Sequence, residues 1–199
     1  MNFAVLASGN GGNLQAIINA VKAKKIKANL RVVISDKKDA YALERANKAK
    51  ITSVFVNPKD FKDRESFDRA VLVCLKEFDI DFVVLAGYMR LLSSHFITQY
   101  QNKILNIHPA LLPSFKGVQG IKDAFEYGVR VTGVSVHFVV EEVDAGAIIM
   151  QEPVVVSPKD TLESLAKKIH AVEHKIYPKA IDLFAKGKLK LAGRKVITR

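Results

Sequence analysis

Short apolar runs alternate with amphipathic stretches along most of this chain. Phe3–Ala7 precedes Asn13–Ala23, Leu30–Ser35 precedes Ala40–Ala49, Ser53–Val56 precedes Asp63–Phe78, and Phe82–Leu85 precedes Leu91–Tyr100; Ile104–Ile107 then closes the series. The runs are too short for helices and rich in Val, Ile and Leu, whereas the stretches between them repeat apolar residues at helical spacing. This alternation predicts an α/β fold, an open, mostly parallel twisted sheet with helices on both faces. Near-continuous apolar strands are expected to be buried on both sides. Beyond Pro109 the pattern loosens into Ala110–Gly120, a loop marked by Pro113, Gly117 and Gly120, and resumes with a short helical piece, Ile121–Tyr127. Gly133–Val140 and Ala147–Val156 flank an acidic turn, Glu141–Gly146, that is too short for a helical crossover, so they predict an antiparallel C-terminal strand pair. Thr161–Lys175 reads as a closing helix that Pro178 breaks or kinks before Ala180–Ala185. No repeat or low-complexity linker divides the 199 residues, and a single domain, 1–199, is expected.

Composition narrows the function. The net charge of +11 raises the question of nucleic acid, but the lysines scatter over helix faces and gather near the end (Lys186, Lys188, Lys190, Arg194, Lys195, Arg199) without interleaved aromatic residues. A basic surface that attracts anionic small molecules is the expectation. No apolar run reaches the roughly 20 residues of a membrane span, and Met1–Leu6 leads into Ser8-Gly9 without a basic leader, so a soluble, cytoplasmic protein is expected. Cys74, the only cysteine, falls in the pattern Phe67, Val71, Leu75, Phe78 and is expected to be a buried structural thiol.

Candidate chemistry centres on Asn106-Ile107-His108-Pro109. Residues i and i+2 of a strand share one face roughly 6–7 Å apart, so Asn106 and His108 enter the same space. An amide beside an imidazole suits the stabilisation of charge on a carbonyl oxygen under attack, which is acyl transfer without a Ser or Cys nucleophile. A turn with a satisfied histidine also fits the dipeptide. Asp144, in Val143-Asp144-Ala145-Gly146, is the natural partner for His108, since a nearby carboxylate favours the protonated ring. His137 either orients Asp144 or is packed structurally. His95, His170 and His174 show no metal-ligand spacing, and no metal is expected. The first turn, Ser8-Gly9-Asn10-Gly11-Gly12-Asn13-Leu14, fits a single phosphate on a helix N-terminus. A tight turn with Asn13 as helix cap is the alternative. Leu14 replaces the third glycine of a dinucleotide fingerprint, and no Gly-Lys-Ser/Thr follows. Asp36 and Asp39 read as turn and cap residues. In an open parallel sheet the first turn, Ala86–Leu92, Asn106/His108 and Val143–Gly146 would meet at the carboxyl edge.

Five segments carry a resemblance: Ser-Gly-Asn-Gly-Gly-Asn-Leu at 8–14, Ala-Gly-Tyr-Met-Arg-Leu-Leu at 86–92, Asn-Ile-His-Pro-Ala-Leu-Leu-Pro at 106–113, Val-His-Phe-Val at 136–139 and Val-Asp-Ala-Gly at 143–146. In this order the chain resembles the phosphoribosylglycinamide formyltransferase family over nearly its whole length. The resemblance implies a Rossmann-like formyltransferase fold and transfer of a formyl group from 10-formyltetrahydrofolate to the amine of glycinamide ribonucleotide. It implies catalytic roles for Asn106, His108 and Asp144. It places the nucleotide phosphate on Gly11, Gly12 and Asn13, and the ribose region at His170–Glu173 through Glu173. The folate would lie against Tyr88, Met89, Arg90, Leu91, Leu92, Asn106, Val140, Glu141, Val143 and Asp144, with Arg64 near its glutamate tail. Small-molecule partners, no nucleic acid, no membrane, and a monomer or homodimer go with this reading. Gly12 stands where many members have Ser, and Gln119 where a His is common. Formyltetrahydrofolate hydrolases and methionyl-tRNA formyltransferases share the Asn-x-His and the later Asp, and a non-catalytic phosphate-binding module is the reading outside enzymes.

Overall fold

The computed structural model describes residues 1–199. Five strands, β1 (Asn2–Leu6), β2 (Asn29–Ser35), β3 (Thr52–Phe55), β4 (Phe82–Leu85) and β5 (Ile104–His108), run parallel. β6 (Val131–Phe138) lies antiparallel to β5, and β7 (Ile148–Val155) antiparallel to β6. With β8 (Leu189–Ala192) and β9 (Lys195–Thr198) the sheet order is β3-β2-β1-β4-β5-β6-β7-β9-β8. The order reverses between β1 and β4, which opens a crevice at the carboxyl edge of the sheet there.

Alternation within the strands explains the two-sided burial. Phe3, Val5, Phe82, Val84 and Leu105 face one core, with α1 (Gly12–Lys22) and α6 (Leu162–Ala185). Ala4, Leu6, Val83, Leu85 and Ile104 face the other, with α3 (Arg64–Glu77) and α4 (Ser94–Gln99). α1 buries Leu14, Ile17 and Ile18 completely, each worth about 1.5–3 kcal/mol of transfer free energy. α2 (Tyr41–Lys48) and α5 (Gly120–Tyr127) complete the helices.

Several expectations change. α6 continues through Pro178 as one 24-residue helix. The missing N–H costs one helical bond, but Ile176, Tyr177, Ala180 and Ile181 are fully buried around it, and that packing outweighs the loss. The Tyr177 hydroxyl lies 2.6 Å from the Leu85 carbonyl oxygen and 3.0 Å from that of Leu105, tying α6 to the ends of β4 and β5. The basic tail forms the β8–β9 hairpin, with Leu189, Leu191 and Val196 packed on the first core. α1 is capped by Gly11 in the left-handed region (φ 75°), not by Asn13, and Ala40, not Asp39, caps α2. Cys74 is only half-buried, and desolvation raises its thiol above the ordinary value. The helix expected from Leu91 starts at Ser94, because the Ser93 side chain accepts from Phe96 N while Ser93 N donates to buried Asp68 at 2.6 Å. Residues 86–92 are thereby left as loop on the crevice.

Candidate active site

Antiparallel pairing of β5 with β6 sets Asn106 opposite His137 and His108 opposite Ser135. The turn after β6 brings back Asp144, itself at φ 51°. Asp144 Oδ2 stands 3.3 Å from His108 Nδ1, and Oδ1 stands 3.5 Å from His137 Nε2. The carboxylate is 8% exposed and accepts a third contact from Gly117 N at 2.8 Å. Burial raises the Asp144 carboxyl. Hydrogen bonds from His137 and Gly117 N–H, with the charge of His108, outweigh that and hold it below the ordinary carboxylate value of 3.8. Gly146 seats the turn: a Cβ there would lie 1.7 Å from the Phe138 carbonyl oxygen.

Asp144 thus reaches His108, and His137 joins it. The imidazole of His108 is not idle, however. Its Nε2 lies 2.7 Å from the Phe115 carbonyl oxygen, so both ring nitrogens face oxygen acceptors, an arrangement satisfied by the doubly protonated ring. Asn106 Nδ2 lies 3.2 Å from His137 Nε2, whose other nitrogen, at 2.8 Å, donates to the Phe138 carbonyl. The His108 donor is therefore engaged by a protein carbonyl, and the Asn106 amide stands against the His137 ring. The Phe115 carbonyl is a partner that no side-chain motif announces. The segment carrying it is anchored behind by Ser135, whose hydroxyl donates to Ala110 O and accepts from Leu112 N.

The glycine turn is braced from α2 and α6. Ala42 N donates to Gly9 O, and Arg45 Nε donates to Asn10 O at 2.8 Å. A Cβ on Gly11 would come within 3.0 Å of Ala42, so this position needs glycine for packing as well as for its φ. No side chain caps α1, so its first amides remain available to an anion. A Cβ on Gly12 would stand 3.2 Å from His174 Nε2, so the imidazole lies against this position. Glu173 is 4% exposed, a buried acid on α6. Its Oε2 accepts from Asn13 Nδ2 at 3.1 Å and pairs with His170 Nδ1 at 2.9 Å. That hydrogen bond raises the His170 pKa above 6.5, against the lowering effect of desolvation. Arg45 and His174 were missed from the sequence, because only the packing of α2 and α6 brings them to the turn.

Both ends open on one cavity of about 810 Å³. Asn13, His170 and Glu173, the group Asn106, His108, His137 and Asp144, and Val140, Glu141, Val143, Arg64 and Tyr88–Leu92 all line it. Ser8 links the two loops, accepting from Met89 N at 2.9 Å. The Arg90 guanidinium rests 4.4 Å from the Phe67 ring centre. Tyr88 is raised well above its ordinary value by burial and by the Asp36 and Asp68 charges. Gly11 and Gly12 stand beside this cavity, not in its lining. No cluster of three or more His, Cys, Asp or Glu could hold a metal ion, and no helix is long and apolar enough to cross a membrane.

The formyl transferase family model matches residues 1–181. Phosphoribosylglycinamide formyltransferase of Escherichia coli is 44% identical over 96% of this chain and 90% of its own length. The human trifunctional purine biosynthetic protein adenosine-3 is 47% identical over 94% of this chain, which spans only 19% of that protein. The crystal structure of glycinamide ribonucleotide transformylase 1 from Symbiobacterium toebii superposes with a TM-score of 0.98 at 46% identity, covering 100% of this chain and 93% of the other.

Proposed function

Because the chain belongs to the formyl transferase family and, within it, to the phosphoribosylglycinamide formyltransferases, we propose that it carries the formyl group of 10-formyltetrahydrofolate to the amine of N1-(5-phospho-D-ribosyl)glycinamide. The observation that carries this reading is the convergence of Asn106, His108 and Asp144 on one cavity with Arg64, Tyr88–Leu92 and Glu173. One formyltransferase domain, 1–199, works in the cytoplasm on small molecules, as a monomer or homodimer.

The amine nitrogen attacks the formyl carbon, and the carbonyl electron pair moves to oxygen. Asn106 Nδ2 and His108 Nε2 donate to that oxyanion, an effect worth about 3–4 kcal/mol for a well-placed donor. For His108 this requires the Phe115 carbonyl, 2.7 Å away, to release the N–H, so the oxyanion takes the place of that carbonyl. Asp144 keeps His108 protonated and oriented. Collapse of the intermediate breaks the bond to N10, the amine proton passes to N10, and formylglycinamide ribonucleotide and tetrahydrofolate leave. The nucleotide phosphate sits on the amides of Gly11, Gly12 and Asn13, with Arg45 and His174 beside it. Buried Glu173 takes the ribose hydroxyls, oriented by His170. Loop 88–92 and residues 140–144 hold the pterin, and Arg64 meets the glutamate tail.

Release of tetrahydrofolate from 10-formyltetrahydrofolate is followed with glycinamide ribonucleotide, with water alone, or with charged initiator tRNA. Rapid release with the nucleotide only is expected. Equal release in water makes the chain a hydrolase, formylation of the tRNA reassigns the acceptor, and binding of phosphate ligands without turnover leaves a binding module.

A further inference from the structure

The β8–β9 hairpin lies beyond the residues that the family model matches, yet its tip touches the turn that carries Asp144. Gly193, at φ 61°, and Arg194 join β8 to β9, and the adjoining Lys195 pairs with Ile148 at the start of β7. Packing of Leu189, Leu191 and Val196 on the first core fixes the hairpin, so the Arg194 backbone is held beside the segment that enters β7. From there Arg194 Nη2 donates to the Ala145 carbonyl oxygen at 3.1 Å. No carboxylate stands within 4.0 Å of Arg194, and Arg194 does not line the large cavity. Neither an ion pair nor contact with a substrate therefore accounts for its placement.

Ala145 directly follows Asp144 and is 8% exposed. No backbone N–H and no other side chain donates to its oxygen, and a buried carbonyl is rarely left unpaired. The peptide to which this carbonyl belongs leads into Gly146, which is packed against the Phe138 carbonyl oxygen. Asp144 itself is at φ 51°, a conformation that a non-glycine residue keeps only where its neighbours enforce it. Two of the holds on this turn come from the loop that carries Phe115: Gly117 N reaches the Asp144 carboxylate at 2.8 Å, and Lys116 Nζ reaches Glu142 at 2.7 Å. Arg194 is the hold from the hairpin.

We propose that Arg194 is a positioning residue for the reaction, which by fixing the Ala145 peptide holds the Asp144 carboxylate against His108 and His137. The inference rests on the catalytic reading of Asp144 above.

The test compares Arg194→Ala with the wild type in steady-state release of tetrahydrofolate, both substrates varied. Lys190→Ala, which removes an exposed charge from the same hairpin, is the control. A misplacement of about 1 Å costs about 10²-fold, so a turn freed from one of its holds should lose roughly tenfold in kcat. KM for either substrate should move by less than about threefold, and Lys190→Ala should keep the wild-type rate. Combined with Asp144→Asn, Arg194→Ala should add less than about twofold, because it acts through that carboxylate. An unchanged kcat, a rise in KM alone, an equal fall in Lys190→Ala, or a full further loss in the Asp144→Asn background overturns the proposal. The ring resonances of His108 and His137, which Asp144 faces at 3.3 and 3.5 Å, give a readout apart from turnover. In Arg194→Ala they should move, while that of His95 on α4 and the unfolding midpoint stay constant. Unmoved rings, or a shift of all three with a lowered midpoint, overturn the proposal. If the wild type releases no tetrahydrofolate with any acceptor, the catalytic reading fails by itself, and the rings alone decide whether Arg194 holds the turn.

Discussion

Replacing Asp144 by Asn removes one charge from the centre of the site and little volume. The Asn oxygen can still accept from Gly117 N, now 2.8 Å away, so the turn keeps its anchor. What disappears is the negative charge 3.3 Å from His108 Nδ1 and 3.5 Å from His137 Nε2. With it goes the support for a protonated His108 and so one donor to the oxyanion, which corresponds to a fall of about 10²–10³ in kcat. The isosteric side chain keeps the shape of the pterin wall at residues 140–144, so KM for each substrate should move by no more than roughly threefold. Steady-state rates of folate release, with both substrates varied, separate the two parameters, and a thermal unfolding curve checks that the variant is folded. The pH dependence gives a second readout. The carboxyl is held below 3.8, so its charge contributes stability above pH 3.8, and that contribution is lost as pH falls through the lowered value. The Asn variant should lack this acid-side loss. An unchanged kcat with a raised KM for the folate would refute the reasoning and make Asp144 a ligand contact.

Two further outcomes follow from the same geometry. Gly146→Ala must move backbone, because its Cβ would lie 1.7 Å from Phe138 O; displacement of Asp144 by about 1 Å should lower kcat roughly 10²-fold, whereas Gly9→Ala, with nothing within 4 Å of the new Cβ, should leave kcat unchanged, and equal rates for the two variants would contradict this account of the turn. The raised pKa of His170, paired with Glu173, means that its contribution to stability is fully present below pH 6.5 and is lost as pH rises through the folded value; the difference in unfolding midpoint between wild type and His170→Gln should be largest below pH 6.5 and shrink above it, and a difference independent of pH would show that the ion pair is not its source.

The sheet was legible because burial on both faces demands apolar runs, and Phe3–Leu6, Val32–Ile34, Phe82–Leu85 and Ile104–Leu105 supply them. The pairing of Asn106 with His108 was legible for a similar reason, since the two-residue period of a strand is local geometry. Asp144 could be assigned from chemistry, as a carboxylate in a turn that a short antiparallel connection returns to the sheet edge. Glu173 could not: nothing in His170–Glu173 distinguishes a buried acid from a solvated one until α6 packs on α1. Pro178 misled, because its cost to a helix is local and known, while the compensation from Ile176, Tyr177 and Ile181 is long-range.

By itself the sequence determined the alternation of elements, the face shared by Asn106 and His108, and a glycine turn ahead of the first helix. These depend on periods of two and 3.6 residues and on the φ preferences of single residues. Only the tertiary structure decided that β6 lies against β5 so that His137 joins Asp144, that the Phe115 carbonyl occupies His108, and that Arg194 reaches the Ala145 carbonyl. Backbone carbonyls are alike in every residue, so none leaves a mark on a sequence until the packing of distant elements gives it a position.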